Sequence, residues 1–475
     1  MVEAWADREF AGARLPHPAN VKSVARICER LAEQPGSAYS RAVGSSGRQA
    51  GCRIFGNPQV TPDDLLYGHF RETGQRCVEH SLVIVAQDTT DCDYSRHRAT
   101  TGLGPVNDSA TSRGFFMHSS LAVTAEETPL GLLSVQTWVR DADEYGKRAT
   151  RRERDIEDKE SRKWLAGLAG IQEALPEGQR ALVVSDRESD VYGYFTAPRR
   201  ESIDLLVRAC WRRSVEVPVD REAVVWMRME MFAAATAAPA VGEMEITVPR
   251  KPGQPERKAV LEVRAGDLRV LPPRHRRKDV PNEPVPLRVI RAAERDAPQG
   301  VEPVEWVLLT TLKVERAEDA CQCVFYYTRR WMAERFHFTL KDGMKIERLQ
   351  IDDEHALRNA VAVHGVAAWK VMSLTHLGRE RPELPASLML SPAELAVLSQ
   401  YEGKPVVSLG DALAAVARLG GQERYQKAPP AGVKRVWMGL SRLEAMVAGW
   451  QLARKGLGQA GAECDSMFAI RQDDT

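Results

Sequence analysis

Two apolar runs in the middle of the chain each turn polar at an aspartate. SLVIVAQDTT is apolar until it reaches Asp88, and ALVVSDRESD is apolar until it reaches Asp186. Short apolar runs bounded by turn residues are typical of buried strands. Ligands of parallel or mixed sheets commonly bind beyond the carboxyl ends of such strands. We therefore predict that both aspartates stand at strand ends, on one edge of a sheet.

Other segments extend this pattern into an α/β fold. GFFMHSSLAVT and TPLGLLSVQTWVR predict an antiparallel pair beside the first strand, and the stretches 204–211 and 305–312 predict two more buried strands. Helical spacing dominates both ends of the chain, and Thr61 followed by Pro62 predicts a capped helix start. The predicted parts are a helical segment (1–62), an α/β region (63–372) with a β-rich, proline-rich insertion at about 215–300, and a helical segment (373–475).

The stretch YTRRWMAERFHFTLK predicts a helix with an unusual polar stripe. At about 100° per residue, Tyr327, Arg330, Glu334 and Lys341 fall within roughly 60° of one another. The spacing alone favours the solvated side of an amphipathic helix. A functional interpretation therefore needs partners from elsewhere in the chain.

Composition narrows the protein class but does not name a function. The 475 residues are 43% hydrophobic and 28% charged, with a net charge of +1, which excludes a histone-like polycation. Basic residues are nevertheless clustered at 250–258, 274–278 and 210–214, so nucleic-acid binding stays open. No apolar run is long enough for a membrane span, and the N-terminus does not resemble a secretory signal. Eight cysteines without Cys-x2-Cys spacing predict reduced thiols and a cytoplasmic location.

Asp88, Asp186 and Glu334 form a candidate metal site. Three carboxylates from separate elements can hold two Mg²⁺ ions about 4 Å apart, because this hard cation prefers oxygen ligands and binds together with substrate phosphate. Such a pair of ions activates a water or a 3′-hydroxyl for attack on phosphorus. The cations of the helix stripe would then meet phosphate oxygens, and its phenol could donate a hydrogen bond to one.

The motifs in their order resemble bacterial cut-and-paste DDE transposases. The resemblance is to the hairpin-forming insertion-sequence family with the Tyr-x2-Arg-x3-Glu-x6-Lys signature, of the composite antibiotic-resistance transposon type. It extends over most of the chain and is carried by the helix stripe, QDTTDCDYSRH, SDRESDVYGYF, DKESRKWLA (158–166) and WVLLT (306–310).

The resemblance implies a ribonuclease-H-like catalytic core that nicks DNA, forms a hairpin, opens it and joins the ends to target DNA. It implies that Asp88, Asp186 and Glu334 are catalytic ligands of two Mg²⁺ ions, with Mn²⁺ able to substitute. The residues that it assigns to DNA are Tyr327, Arg330, Lys341, Trp306, Trp331 and Arg208. Trp306 would stack a flipped base and Trp331 would help to extrude it, although the position of Trp306 alone favours a core residue.

The partners implied are double-stranded DNA, as transposon ends and target, and a second copy of the chain in a synaptic homodimer. The resemblance assigns end binding to residues 1–62 and dimerisation to 373–475, in a cytoplasmic, nucleoid-associated protein without membrane contact. Departures from the family occur at ARLPHPANV, at Arg335 and at GKPVVSLGDA, so end specificity stays open. The alternatives are a catalytically silent DNA-binding inhibitor of transposition, another ribonuclease-H-like nuclease, and a structural protein.

Overall fold

The computed structural model describes residues 5–107, 111–141, 161–219, 225–248, 256–273, 281–423 and 432–469, with side chains to Arg454 in the last range. The basic block at 274–278, most of that at 250–258, and the first residues of DKESRKWLA lie outside the described residues. No helix of the described ranges is long and apolar enough to cross a membrane.

Helices make up both ends of the described chain. Their bounds are α1 Trp5–Phe10, α2 Pro18–Glu33, α3 Tyr39–Phe55, α4 Pro62–Cys77, α5 Arg162–Ala174, α6 Tyr192–Phe195, α7 Met231–Ala237, α8 Ala317–Thr328, α9 Trp331–Phe338, α10 Glu354–Glu380, α11 Pro392–Glu402, α12 Leu409–Leu419 and α13 Val433–Ala469. The start of α4 follows the sequence prediction. Thr61 is the N-cap and shares a capping box with Asp64, and Pro62 occupies the first turn.

The strands form one large mixed sheet, so the fold is mixed α/β. Their bounds are β1 Val83–Asp93, β2 Gly104–Pro105, β3 Arg113–Val123, β4 Pro129–Trp138, β5 Ala181–Ser185, β6 Ile203–Arg208, β7 Ser214–Pro218, β8 Trp226–Glu230, β9 Ala240–Val248, β10 Arg257–Val270, β11 Val285–Glu294 and β12 Glu305–Thr310. The strand order is β2-β3-β1-β5-β6-β12-β11-β10-β7-β8, with β4 on β3 and β9 on β10. Only the β1–β5 and β5–β6 pairs are parallel among the described strands.

The strands of the stretch from 214 to 294 continue the sheet that contains β1. β11 pairs with β12, and β12 pairs with β6, so backbone hydrogen bonds run without interruption from β1 to β10. Two hydrophobic cores lie on the two faces of this sheet. Alternate residues of the central strands enter different cores, as Ile84 and Val85 do on β1.

Helix α10 lies at the centre of the core on one face and is buried on nearly all sides. Helices α2, α3, α4, α12 and α13 pack against it, and so does β4. The N-terminal and C-terminal helices therefore share one core with the sheet. This face is also the one that α9 covers, because Met332 and Phe336 belong to the same core as Ile84.

Candidate active site

The prediction that the first strand ends at Asp88 is wrong. β1 continues to Asp93, because the polar residues after Asp88 still pair with β3 through their backbones, as in the pair Asp88–Ser119. What ends near Asp88 is the parallel pairing with β5, whose last pair is Ala86–Val184. Asp186, in contrast, directly follows β5 as predicted.

Strand register places Asp88, Asp186 and Arg208 in one row. Extending the last β1–β5 pair, Ala86–Val184, by two residues sets Asp88 opposite Asp186. Extending the last β5–β6 pair, Ser185–Val207, by one residue sets Asp186 opposite Arg208. Neighbouring strands lie about 4.8 Å apart, and residues two apart share a face. All three side chains therefore stand side by side on the face that α9 covers.

The prediction of one continuous helix from Tyr327 to Lys341 is also wrong. α8 ends at Thr328, α9 begins at Trp331, and residues Thr339–Gly343 form a π-helical turn. At the break, Arg329 donates to the carbonyl of Ala125 at 2.6 Å, a contact that ties it to the turn after β3. The stripe is therefore divided between α8, α9 and the π-helical turn, although Arg330 and Glu334 keep the i,i+4 contact of one helix face.

The four stripe residues do not form a solvated surface. Tyr327 is only 4% exposed, and the side chain of Arg330 is 13% exposed. Glu334 is the exposed member, at 54% of its side chain. Burial of a cation and a phenol together requires partners, and these come from Asp88 and Arg208 in the row of strand residues and from Glu334 on α9.

Arg330 joins Glu334 to Asp88. Its guanidinium donates to Glu334 Oε1 at 2.6 Å, and another of its nitrogens lies 3.8 Å from Asp88 Oδ2. Burial by itself lowers the pKa of Arg330, but Tyr327, Glu334 and Asp88 outweigh it and raise the pKa above the usual value. A permanently charged guanidinium thus holds two of the predicted catalytic acids together.

Burial raises the pKa of Asp88 to about 6. Arg330 and the N–H of Thr89 favour the charged form, whereas the nearby Asp186 and Glu334 disfavour it. Burial likewise raises the pKa of Asp186. Clustered carboxylates that resist ionisation are typical of sites where a cation completes the charge balance.

The donor atoms fit a hard divalent ion, but the present arrangement is not closed around one. No group of three His, Cys, Asp or Glu side chains in the described ranges is arranged to hold a metal ion. The guanidinium of Arg330 contacts Glu334 and approaches Asp88, so these two carboxylates already share a cation. Asp88 and Asp186 supply neighbouring carboxylate oxygens, the ligand type that hard divalent ions prefer.

Lys341 does not join the three acids. Its ammonium group lies 3.2 Å from Asp91 Oδ1 and 2.9 Å from Glu347 Oε1, and it also donates to the carbonyl of Asp91. Sequence reasoning missed both acids. Asp91 lies three residues after Asp88. Its position close to the first predicted acid was the signal in the sequence that it belongs to the same region.

His337 is a further residue that sequence reasoning missed. Its Nδ1 lies 3.8 Å from Asp88 Oδ2, and its Nε2 is hydrogen-bonded to Ser119 Oγ at 2.8 Å. Burial lowers the pKa of His337 to about 3, so the ring is neutral beside Asp88. The signal was its position one turn after Glu334, which places both side chains on neighbouring parts of α9.

Trp306, Tyr327 and Trp331 form an aromatic cluster beside the row. The ring centroid of Trp306 lies 5.3 Å from that of Tyr327 and 6.5 Å from that of Trp331, both edge-on. Trp306 is only 7% exposed, which matches the core position that its place in the sequence favoured. Arg208 donates to the carbonyl of Glu305 at 3.0 Å and also contacts the phenol of Tyr327.

Comparison with known proteins returns a distant likeness. No family model matches the chain. Among solved structures, the piggyBac transposase synaptic complex with hairpin DNA is similar over 94% of this chain and 77% of that chain, with 7% sequence identity and a TM-score of 0.36.

Proposed function

We propose that the protein is a DNA transposase that cuts and joins DNA by metal-dependent phosphoryl transfer at Asp88, Asp186 and Glu334. One observation carries the proposal. Strand register places Asp88 beside Asp186, and Arg330 brings Glu334 to the same row. Three acids distant in sequence thus lie near one another, with Arg330 between Glu334 and Asp88. Two-metal phosphoryl transfer requires such a convergence.

The order of the central strands supports a ribonuclease-H-like core. β1 stands between an antiparallel hairpin partner, β3, and a parallel partner, β5, with β4 and β6 beyond them. This arrangement is the one expected of that fold, with the first acid on the central strand and the second after its parallel neighbour.

The proposed roles follow from the contacts. Asp88, Asp186 and Glu334 would hold Mg²⁺, for which Mn²⁺ could substitute, and bound ions would supply activation of the attacking oxygen and stabilisation of the leaving one. Arg330 moves from Glu334 to a phosphate of the DNA, for which its planar guanidinium is suited. The neutral ring of His337 approaches Asp88 and is itself fixed by Ser119.

The finer features of the family belong to the proposal as well. These are nicking, hairpin formation and opening, strand transfer to target DNA, and a homodimer that pairs two transposon ends. Trp331 and Trp306 would support the flipped base, and Lys341 would bind a phosphate after leaving Asp91 and Glu347.

The test is cleavage of a labelled duplex that carries the proposed transposon's own end, with and without Mg²⁺. We expect the wild type to yield a nick and then a hairpin only with metal, and Glu334→Gln to bind the duplex without cutting it. Glu177→Gln is the matched control, because it removes the same charge from an exposed position before the opposite end of β5. Cleavage by Glu334→Gln at the wild-type rate would refute the assignment.

One observation favours the silent regulator as a second candidate. The guanidinium of Arg330 contacts Glu334 and approaches Asp88, an arrangement that neutralises the acids without a metal ion. A protein that only binds transposon ends could retain this arrangement permanently. DNA binding with no cleavage by the wild type, in either Mg²⁺ or Mn²⁺, would favour this candidate over the transposase.

A further inference from the structure

Trp211 is an exposed tryptophan just past the proposed active site. It is 60% exposed, more than any other aromatic side chain in the described ranges. It follows β6, whose last residue, Arg208, stands in the row with Asp186. A large apolar ring in water next to a charged site is a typical feature of a recognition surface.

A buried carboxylate holds the loop that carries Trp211. Asp190 is fully buried and accepts hydrogen bonds from the backbone N–H groups of Cys210, at 2.7 Å, and Trp211, at 3.1 Å. The guanidinium of Arg213 pairs with the same carboxylate and also donates to the carbonyl of Asp190 at 3.0 Å. The loops after β5 and β6 are thereby tied together, and the backbone that presents the indole is fixed.

Arginines lie on both loops that Asp190 ties together. Arg212, the residue after Trp211, is exposed, and so is Arg187 in the loop after Asp186. Arg187 and Arg330 are close enough to Arg208 to add to the burial that lowers its pKa. Aromatic rings beside arginines are the usual components of surfaces that bind unpaired nucleic acid, because bases stack on the ring and cations contact the phosphates.

We propose that Trp211 is a stacking platform for an unpaired DNA base next to the active site, with Arg212 contacting the adjoining phosphate. The proposal rests on the proposed transposase function. Trp211 differs from Trp306, which is 7% exposed and packed edge-on against Tyr327 and Trp331. Trp211 can accept a base without any rearrangement of the core, because its loop is already fixed by Asp190.

The experiment measures binding of two probes to the full chain. One is a short single-stranded oligonucleotide with a single 2-aminopurine, whose fluorescence falls on stacking, and the other is a fully paired duplex. We expect Trp211→Ala to weaken single-strand binding about tenfold and to abolish the quenching, since base–aromatic stacking contributes on the order of 1–3 kcal/mol. Trp211→Phe should retain most of the affinity, and duplex binding should change little.

Tyr401→Ala is the matched control, because Tyr401 is an exposed aromatic residue on α11, and it should bind both probes like the wild type. Equal single-strand binding by the wild type and Trp211→Ala would overturn the inference and leave the transposase assignment intact. The same conclusion would follow if Trp211→Ala and Tyr401→Ala were weakened alike. If the wild type bound neither the single strand nor the duplex, both the stacking inference and the proposed transposase function would be overturned.

Discussion

The contact between Arg330 and Glu334 predicts that removing one positive charge increases metal affinity in the absence of DNA. In Arg330→Gln, the guanidinium that lies 2.6 Å from Glu334 and 3.8 Å from Asp88 is lost. Under the proposed metal site, loss of this contact leaves Glu334 free to bind the ion beside Asp88. Because Arg330 is also proposed to bind phosphate, DNA cleavage should fall while metal affinity rises.

The expected magnitude follows from the exposure of the pair. Two unit charges about 4 Å apart interact by about 4 kcal/mol at an effective dielectric constant of about 20, whereas exposed pairs contribute at most about 1 kcal/mol. The side chain of Glu334 is 54% exposed and that of Arg330 is 13% exposed, so the pair lies between these limits. A gain of about 1.5 kcal/mol corresponds to roughly tenfold tighter binding of the ion.

Calorimetric titration of Mn²⁺ into the DNA-free protein measures this effect. Arg335→Gln is the control. Arg335 is also on α9, but it pairs with Glu127, at 3.3 Å. The variant therefore loses the same charge without freeing Glu334. The expected result is tighter binding in Arg330→Gln alone. Equal changes in the two variants would mean that the net charge of the protein, and not the Arg330–Glu334 contact, controls metal affinity. An unchanged affinity in Arg330→Gln would refute the prediction.

Two further predictions concern Trp306 and the N-terminal helices. If a flipped base stacks on Trp306, Trp306→Phe should slow hairpin formation about tenfold more than the first nick. Single-turnover reactions resolved on gels measure both steps. Equal slowing of the two steps would indicate that Trp306 only packs in the core against Tyr327. Burial alone raises the pKa of Glu9, but His69 and Arg76 outweigh it and hold it at about 2. A carboxylate with a depressed pKa adds stability above its unfolded pKa of about 4.5 and loses it as the pH falls towards 2. Urea unfolding should therefore show Glu9→Gln less stable by about 2–3 kcal/mol at pH 7, with a smaller difference at pH 3; a difference independent of pH would contradict this.

Much of the fold could be read from local patterns. The apolar runs correctly located β1, β5, β6 and β12, and the Thr61 cap correctly located the start of α4. These features depend only on residues that are close in sequence, because the periodicity of apolar residues and the capping residues determine them. The end of β1 could not be read in this way, because its polar half is held by backbone pairing with β3 and not by apolar side chains.

The sequence by itself determined which chemical groups the candidate site contains. The two aspartates follow apolar strand patterns, and the spacing of Tyr327, Arg330 and Glu334 drew attention to the third acid. Tertiary structure decided how these groups meet. Register between β1 and β5 aligned the aspartates. Packing of α9 on the sheet brought Arg330, which contacts Glu334 at i,i+4 spacing, to within 3.8 Å of Asp88. Lys341 contacts Asp91 and Glu347 instead of the three acids. Register and helix breaks depend on contacts between segments far apart in the chain, and local periodicity carries no information about such contacts.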